Sequence, residues 1–438
     1  MSETALNPHK KKSDQRPIVK PRSFIYHLHP PKVVEASIRF NRTFGLGGMA
    51  LLLFLVQVFT GILLRFEYVP VPEKAYDSIL IIENEILFGK FVRNMHHWAG
   101  VFFVLISFLH FVRVFLSQSI YKLRRVNWII GIAMFFLVMM SNFTGYLLPW
   151  DQLSYWAVTV ATSMLTYVPF VGGVLETAAR GGTDVGAETL LNFYTFHTGL
   201  LPIILVVLMI FHFWKVRKAK GVALPESERD SQRVPSNPNL IFKELVTGLV
   251  LLAILLFLSA LYDAPLLERA NPALSPNPAK APWYFMGIQE LLLHIHPFFA
   301  AFIIPTLFFG ALIYLPYSNL KGVNHGVWFQ SEKGKKLSII SAIVALTITP
   351  LYIIADEFIL HFEDWMSGIP QFFSQGLVPF ILFFAGFGTY TYILKKKFKA
   401  SKPELIMAVF VIFIVSYIVL TVVGIDFRGE GMKLVWLW

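Results

Sequence analysis

Nine stretches of this sequence stay apolar for close to the 20 residues that an α-helix needs to cross a bilayer: residues 45–64, 96–116, 127–148, 194–214, 245–262, 298–317, 337–355, 373–394 and 405–423. Inside hydrocarbon every backbone N–H and C=O must be satisfied within the segment, so runs of this length read as helices. The expected fold is an all-α integral membrane protein. The polar stretch from Lys215 to Pro238, interrupted by Pro225, Pro235 and Pro238, divides it into four N-terminal and five C-terminal spans. Four regions follow: a basic arm with a surface helix (1–44), a four-helix part (45–216), a linker (217–242) and a C-terminal helical part (243–438).

Charge placement orients the chain. Lysines and arginines concentrate in the N-terminal arm and in the loops after the second, fourth, sixth and eighth spans. Basic residues mark the cytoplasmic side, so the N-terminus is expected inside and the C-terminus outside a bacterial cytoplasmic membrane. The net charge of +11 is spread between apolar runs rather than gathered in one patch, so no nucleic-acid partner is expected. Residues Met1 to Lys20 are polar and basic with no apolar core, so no cleaved signal peptide is expected. Cysteine is absent, which excludes disulfides, thiolate metal sites and thioether-attached haem within this chain.

Two of the spans each carry two histidines about four helical turns apart. His96 and His110 are separated by 14 residues, His197 and His212 by 15. At 100° and 1.5 Å per residue, each pair shares one helix face, its members about 21 Å apart. If the two spans pack side by side, the four imidazoles form two facing pairs, one near each membrane surface. That arrangement suits two stacked bis-histidine haems. A single membrane histidine also serves as a hydrogen-bonding group or in a proton relay, and zinc competes for imidazole ligands. Two pairs about 21 Å apart cannot share one zinc ion, however, and no thiol or carboxylate stands beside them. His97 lies about 140° off the face of His110 and is assigned to the surface.

Glycines repeat the same interval. Gly47 and Gly61 on the first span, and Gly131 and Gly145 on the third, are each 14 apart. Small-residue helix packing explains either pair alone, whereas two pairs in step with the histidines suit a flat macrocycle lying close to those helices. Arg93 and Arg113 lie three residues outside His96 and His110, and Arg217 and Lys218 lie beyond His212. Arginine's fork of donors suits haem propionates, and interfacial arginines are the plain alternative. The loops on the outer side are long and rich in Pro, Gly, Trp and Tyr. Pro149 should stop the third helix, and Trp150-Asp151-Gln152 should lead into a short amphipathic helix carrying Tyr155 and Ala157. A second outer loop carries Pro282-Trp283-Tyr284, then Glu290, which reads equally as a proton acceptor with a raised pKa or as a solvated residue.

The paired histidines, the four glycines, Gly145-Tyr146-Leu147-Leu148-Pro149-Trp150, and Trp283-Tyr284 preceded by Asn271-Pro272 resemble the cytochrome b subunit of the cytochrome bc and bf quinol oxidoreductases. The likeness is specific from about Arg39 to Tyr317. It implies a bundle holding two non-covalent b haems, the outer on His96 and His197 and the inner on His110 and His212. It also implies a Rieske iron–sulfur protein and a c-type cytochrome as partners, a homodimer bathed in membrane lipid, and quinol as substrate. Quinol would be oxidised in the outer loops (Q cycle, with proton release outside), with Tyr155, Ala157, Pro282, Trp283, Tyr284 and Glu290 as site residues. The 15-residue spacing, Trp150-Asp151-Gln152 and Ala157 resemble the bf branch, and Ala157 implies poor inhibition by strobilurin-type compounds.

Three features depart from that family. Ala281-Pro282 stand where Pro-Glu usually precedes Trp-Tyr, which makes Glu290 the candidate replacement carboxylate. No cysteine is available for the extra covalent haem of the bf branch. A ninth span exceeds the usual eight. Two other readings remain: a di-haem b anchor for a dehydrogenase or reductase, which does not need the outer loops, and a proton-coupled transporter.

Overall fold

The computed structural model describes residues 30–360 and 362–435, so most of the basic arm lies outside the described residues. The helices run in chain order α1 (Leu46–Arg65), α2 (Pro72–Asn84), α3 (Gly89–Leu116), α4 (Arg125–Tyr146), α5 (Gln152–Ser163), α6 (Gly172–Arg180), α7 (Ala187–Lys218), α8 (Ser236–Leu261), α9 (Trp283–His294), α10 (Phe298–Tyr317), α11 (Glu332–Phe358), α12 (Phe372–Lys397) and α13 (Lys402–Asp426). Among the described residues nine of these, α1, α3, α4, α7, α8, α10, α11, α12 and α13, are long and apolar enough to cross a membrane.

Several spans are longer than their apolar runs. α3 starts at Gly89 and α8 at Ser236, because hydropathy locates the part of a helix inside lipid and is blind to the polar turns that continue it. Caps locate those ends better. Ser331 accepts from the Gly334 N–H to start α11, and Ser401 with Glu404 forms a capping box on α13. Many outward side chains are apolar, such as Phe59 (67% exposed) and Phe257 (64%), as a lipid-facing surface requires.

The short β1 (Lys32–Val34) pairs antiparallel with β2 (Arg233–Pro235), and Arg42 donates to both oxygens of Glu228. The linker is thereby stitched to the start of the first span. The main core joins Leu53 and Phe54 of α1, Ala99, Phe103 and Val104 of α3, Val138 of α4, Leu205 of α7, Leu251 and Leu255 of α8, and Tyr284 of α9. A second core, at the basic end, ties Phe111 and Phe115 of α3 and Trp128 of α4 to Leu312 of α10 and to Met407 and Phe410 of α13. The four-helix part and the C-terminal helices are therefore packed together at both levels.

Three spans that begin at the loop-rich end contain a wide π-turn: Phe196–Leu200 within α7, after its first nine residues, and Phe298–Ile303 and Phe372–Leu377 at the starts of α10 and α12. In each, a proline follows two residues after the turn, at Pro202, Pro305 and Pro379. Proline has no N–H to donate and its ring crowds the carbonyl four residues back, which favours a widened turn. In α7 this has a direct result. A π-turn takes up one extra residue, so the 15-residue step from His197 to His212 keeps the phase of a 14-residue step in regular helix.

Candidate functional site

The two histidine spans lie so that their rings face each other. The ring centres of His96 and His197 are 6.0 Å apart and those of His110 and His212 are 6.4 Å apart. A metal bound by two imidazoles at about 2 Å metal–nitrogen distance holds ring centres roughly 6 Å apart, so both separations fit one ion between each pair. No group of three or more His, Cys, Asp or Glu with metal-binding geometry occurs among the described residues. The donor set is therefore two imidazoles per site, as an axially ligated porphyrin requires.

Hydrogen bonds at one pair settle which nitrogen is free. The Thr60 hydroxyl donates to the Val56 carbonyl (2.7 Å), so towards His96 Nδ1, 2.9 Å away, its oxygen accepts. His197 Nδ1 donates to the Ser141 carbonyl at 2.8 Å. Both Nδ1 atoms then carry the proton, and both Nε2 atoms keep a lone pair for a metal, the usual outer contact of a ligating histidine. His110 Nδ1 and His212 Nδ1 are buried with no hydrogen-bond partner among the described residues.

Each of the four glycines faces one of the four histidines. A methyl group on Gly47 would lie 3.5 Å from His110 Cε1, on Gly61 3.1 Å from His96, on Gly131 4.0 Å from His212, and on Gly145 2.5 Å from His197. The 14-residue rhythm of the glycines is thus the rhythm of the histidines on the neighbouring helices. Their absent side chains make a cradle beside each imidazole, which fits a macrocycle between the rings. His97 packs edge-on against Trp98 with ring centres 5.2 Å apart, and takes no part in either pair.

The cations divide. Arg113 is buried, its Nε donates to the Arg42 carbonyl at 2.7 Å, and no carboxylate among the described residues pairs with it. Arg93 is engaged elsewhere: it donates to Glu83 and to the carbonyls of Ala264 (2.9 Å) and Pro265 (2.7 Å), clamping α2 and α3 to the loop after α8. That differs from the free propionate partner expected of it, because the loop that supplies those carbonyls is far away in sequence. Lys218 lies 4.1 Å from the centre of the Trp214 ring, and Arg217 sits in the last turn of α7.

On the loop-rich face the two long loops are knitted edge to edge. Asp151 caps α5 through the Ser154 N–H (2.9 Å) and accepts from the Leu267 N–H (3.0 Å). The Gln152 N–H donates to the Glu268 carbonyl (2.8 Å) and the Gln152 side chain accepts from the Asn271 N–H (2.6 Å). α4 ends at Tyr146, three residues before Pro149, and α5 follows, with Tyr155 and Ala157 buried on it and the Trp150 ring 5.6 Å from Tyr155. Pro282 starts α9, and both the Trp283 indole N–H and the Tyr284 hydroxyl are buried with no hydrogen-bond partner among the described residues. Burial, with the neighbouring Tyr146 phenol, pushes the Tyr284 hydroxyl pKa up, so it is a neutral donor.

Glu290 is neither solvated nor free. It is fully buried, and Arg428 grips it through Nη2 (2.6 Å to Oε1) and Nε (3.0 Å to Oε2), while His294 Nε2 stands 3.2 Å away. Burial alone would raise its pKa, but hydrogen bonds from His294 and Arg428 outweigh burial and hold it below the usual carboxylate range. The raised value expected from an apolar cavity is thus reversed by a cation that the local sequence does not show. Thr60, His294, Asp356 and Arg428 escape sequence reading; only Thr60 carries a signal, standing directly before Gly61.

Residues 32–220 match the family model described as cytochrome b/b6/petB. Over 189 residues the chain is 40% identical to the cytochrome b6 of Heliomicrobium gestii, covering 43% of this chain and 88% of that protein. Over 185 residues it is 38% identical to the cytochrome b6 of Synechococcus elongatus, covering 42% and 86%. A solved structure titled hyperthermophilic respiratory Complex III superposes with a TM-score of 0.65 at 26% identity, covering 91% of this chain and 95% of that one. The matched residues contain both histidine spans and all four glycines, and the family implies b-type haem binding. The chain belongs to the cytochrome b/b6 family and is a multi-pass membrane electron-transfer protein.

Proposed function

We propose that this chain is the cytochrome b subunit of a multisubunit bc-type quinol:cytochrome c oxidoreductase. It would sit in a bacterial cytoplasmic membrane with the N-terminus inside and the loop-rich face outside. His96 with His197, and His110 with His212, hold two non-covalent b haems, which when bound carry electrons between the two membrane surfaces. The observation that carries this reading is the pairing of four glycines with four histidines whose rings face each other at 6.0 and 6.4 Å.

The chain's own residues supply what the reaction needs besides electron carriers. Thr60 and the Ser141 carbonyl orient the outer imidazoles, and Arg113 offers an uncompensated buried cation to a propionate at the inner pair. Quinol is oxidised at the outer face, where Trp283 and Tyr284 offer donors and α5 contributes Tyr155 and Ala157, with one electron leaving to a Rieske protein and on to a c-type cytochrome. Charge crossing the hydrocarbon layer does work of about 2.3 kcal/mol per charge per 100 mV, so the reaction is electrogenic. The unpartnered Trp283 N–H and Tyr284 hydroxyl favour this over a di-haem anchor, which has no use for an outer quinol site.

Purification in mild detergent tests the proposal. Two b haems per chain, a co-purifying Rieske protein, a dimer by mass and quinol-dependent reduction of a c-type cytochrome are expected. Spectra without b bands would refute the haem assignment, and b haems without quinol oxidation would leave the anchor.

A further inference from the structure

The packing of the ninth span, α13, is specific. α13 lies along α9, the short helix that begins with Trp283 and Tyr284. Gly287 of α9 allows the approach: a methyl group there would lie 2.8 Å from Tyr417 Cε2 and from the Thr421 hydroxyl. Gly424 returns it, since a methyl group there would meet Met286 at 2.5 Å. The Tyr417 hydroxyl donates to the Tyr284 carbonyl at 2.6 Å. Lys280 Nζ donates to the Ile425 carbonyl at 2.7 Å, and the Gly431 N–H donates to the Asn277 side chain.

Beyond α13 the chain supplies Arg428, whose side chain is as deeply buried as that of Glu290. Arg428 Nη1 also donates to Glu357 at the end of α11 (2.7 Å) and to the Met432 carbonyl (3.0 Å). His294, one turn after Glu290, places Nδ1 2.7 Å from Asp356. α9 is therefore held to α11 and α13 by a closed set of charges, none of which tolerates burial alone. Glu290 follows Tyr284 by six residues, about 120° around the helix. The carboxylate thus faces the ninth span, away from the side on which Tyr284 joins the histidine-bearing core.

We infer that the ninth span and the segment behind it position the outer quinol helix, with Arg428 as the positioning residue acting through Glu290. This rests on the quinol-oxidation reading of the outer face. In this role Glu290 anchors α9 rather than accepting the substrate proton, and loss of Arg428 leaves the buried carboxylate with His294 as its remaining partner, short of the cation that seats the helix.

The test compares Arg428→Gln, Arg428→Lys, Glu290→Gln and the double variant Glu290→Gln/Arg428→Gln in the purified, haem-loaded complex. Hydrogen exchange of residues 277–294 reads the position of α9, and quinol oxidation reads kcat and KM. Arg428→Gln should speed exchange there and lower kcat/KM about 100-fold, the size of a 1 Å misplacement, with b-haem bands unchanged. Arg428→Lys should fall between, and the double variant should regain slow exchange and much of the activity, because the fully buried charge of Glu290 is removed together with its cation. Should Arg428→Gln not assemble, Tyr417→Phe gives a smaller shift of the same sign. Unchanged exchange in Arg428→Gln overturns the inference, as does a double variant as inactive as Glu290→Gln alone, which would make Glu290 the proton acceptor. Exchange that responds as described in a complex with no quinol oxidation keeps the positioning role and refutes the quinol reading instead.

Discussion

Gly145 of α4 stands so close to His197 of α7 that a methyl group on its Cα would sit 2.5 Å from the imidazole Cε1. No real side-chain carbon tolerates that distance, so Gly145→Ala must move the ring. The other three glycines form a graded series: 3.1 Å at Gly61, 3.5 Å at Gly47 and 4.0 Å at Gly131. Alanine variants should lose haem from their own site in that order, with Gly145→Ala the most severe and Gly131→Ala close to wild type. Overpacking of this kind costs about 1–3 kcal/mol. Haem content per chain from reduced-minus-oxidised spectra checks the order, and equal losses at all four positions would refute the cradle.

The Thr60 contact to His96 predicts a subtler effect. Thr60→Val keeps the shape and removes the oxygen that accepts from Nδ1, whereas Thr60→Ser keeps the oxygen. Outer contacts of this sort change metal affinity about 10–100-fold when removed. The valine variant should shift the midpoint potential of one haem and weaken its retention in detergent. The serine variant should restore both, and the second haem should not move. Redox titration of the two b bands is the measurement.

Much of this site is legible in the sequence for a physical reason. Periodicity along one helix is set by 3.6 residues per turn, so the shared faces of the histidines and of the glycines follow from spacing alone. Which glycine faces which histidine does not follow, because the step on α7 is 15 residues against 14 for the glycines, and the pairing of Gly145 with His197 is seen only in the packed helices. What spacing cannot carry is contact between distant segments. Arg93 reads as a haem-side cation until the Ala264 and Pro265 carbonyls, contributed by the loop after α8, are seen to hold it. Glu290 reads as a free acid until Arg428 arrives from the far side of the ninth span. The π-turn at Phe196–Leu200 is intermediate: the 15-residue step and Pro202 are both visible, but only the backbone shows that the one offsets the other.

The cluster around α9 should also respond to pH. It contains Glu290, His294, Arg428, Asp356 and Glu357, with the Tyr352 ring 5.9 Å from His294. Burial alone would lower the His294 pKa, but its hydrogen bonds to Asp356 and Glu290 prevail and raise it. A raised histidine contributes stability that is complete below its unfolded value of 6.5 and lost as pH climbs through the folded value. Glu290, held down by His294 and Arg428 against burial, contributes stability that is complete above 4.5 and lost as pH falls through its depressed value. Between 4.5 and 6.5 both contributions are present. Hydrogen exchange of residues 277–294, corrected for intrinsic rates, should be slowest in that interval and quicken on the alkaline side. His294→Asn should flatten the alkaline rise, and an unchanged rise in that variant would rule out His294 as its source.

Arg113 provides the complementary test at the basic end. It is buried beside the His110 pair, and its only hydrogen bond among the described residues runs to the Arg42 carbonyl. An uncompensated guanidinium at this depth is costly, and an anionic group brought by a ligand would relieve it. If that group is a haem propionate, Arg113→Gln should weaken retention of the His110/His212 haem and lower its midpoint potential, because a cation near the macrocycle favours the reduced, less positive iron. Arg113→Lys keeps the charge but not the fork, so it should preserve most of the potential and lose part of the retention. The His96/His197 haem, about 21 Å away by helical rise, should hold its potential in both variants. Redox titration of the separated b bands decides it: a shift confined to the outer haem, or no shift in Arg113→Gln, would exclude Arg113 as the propionate partner.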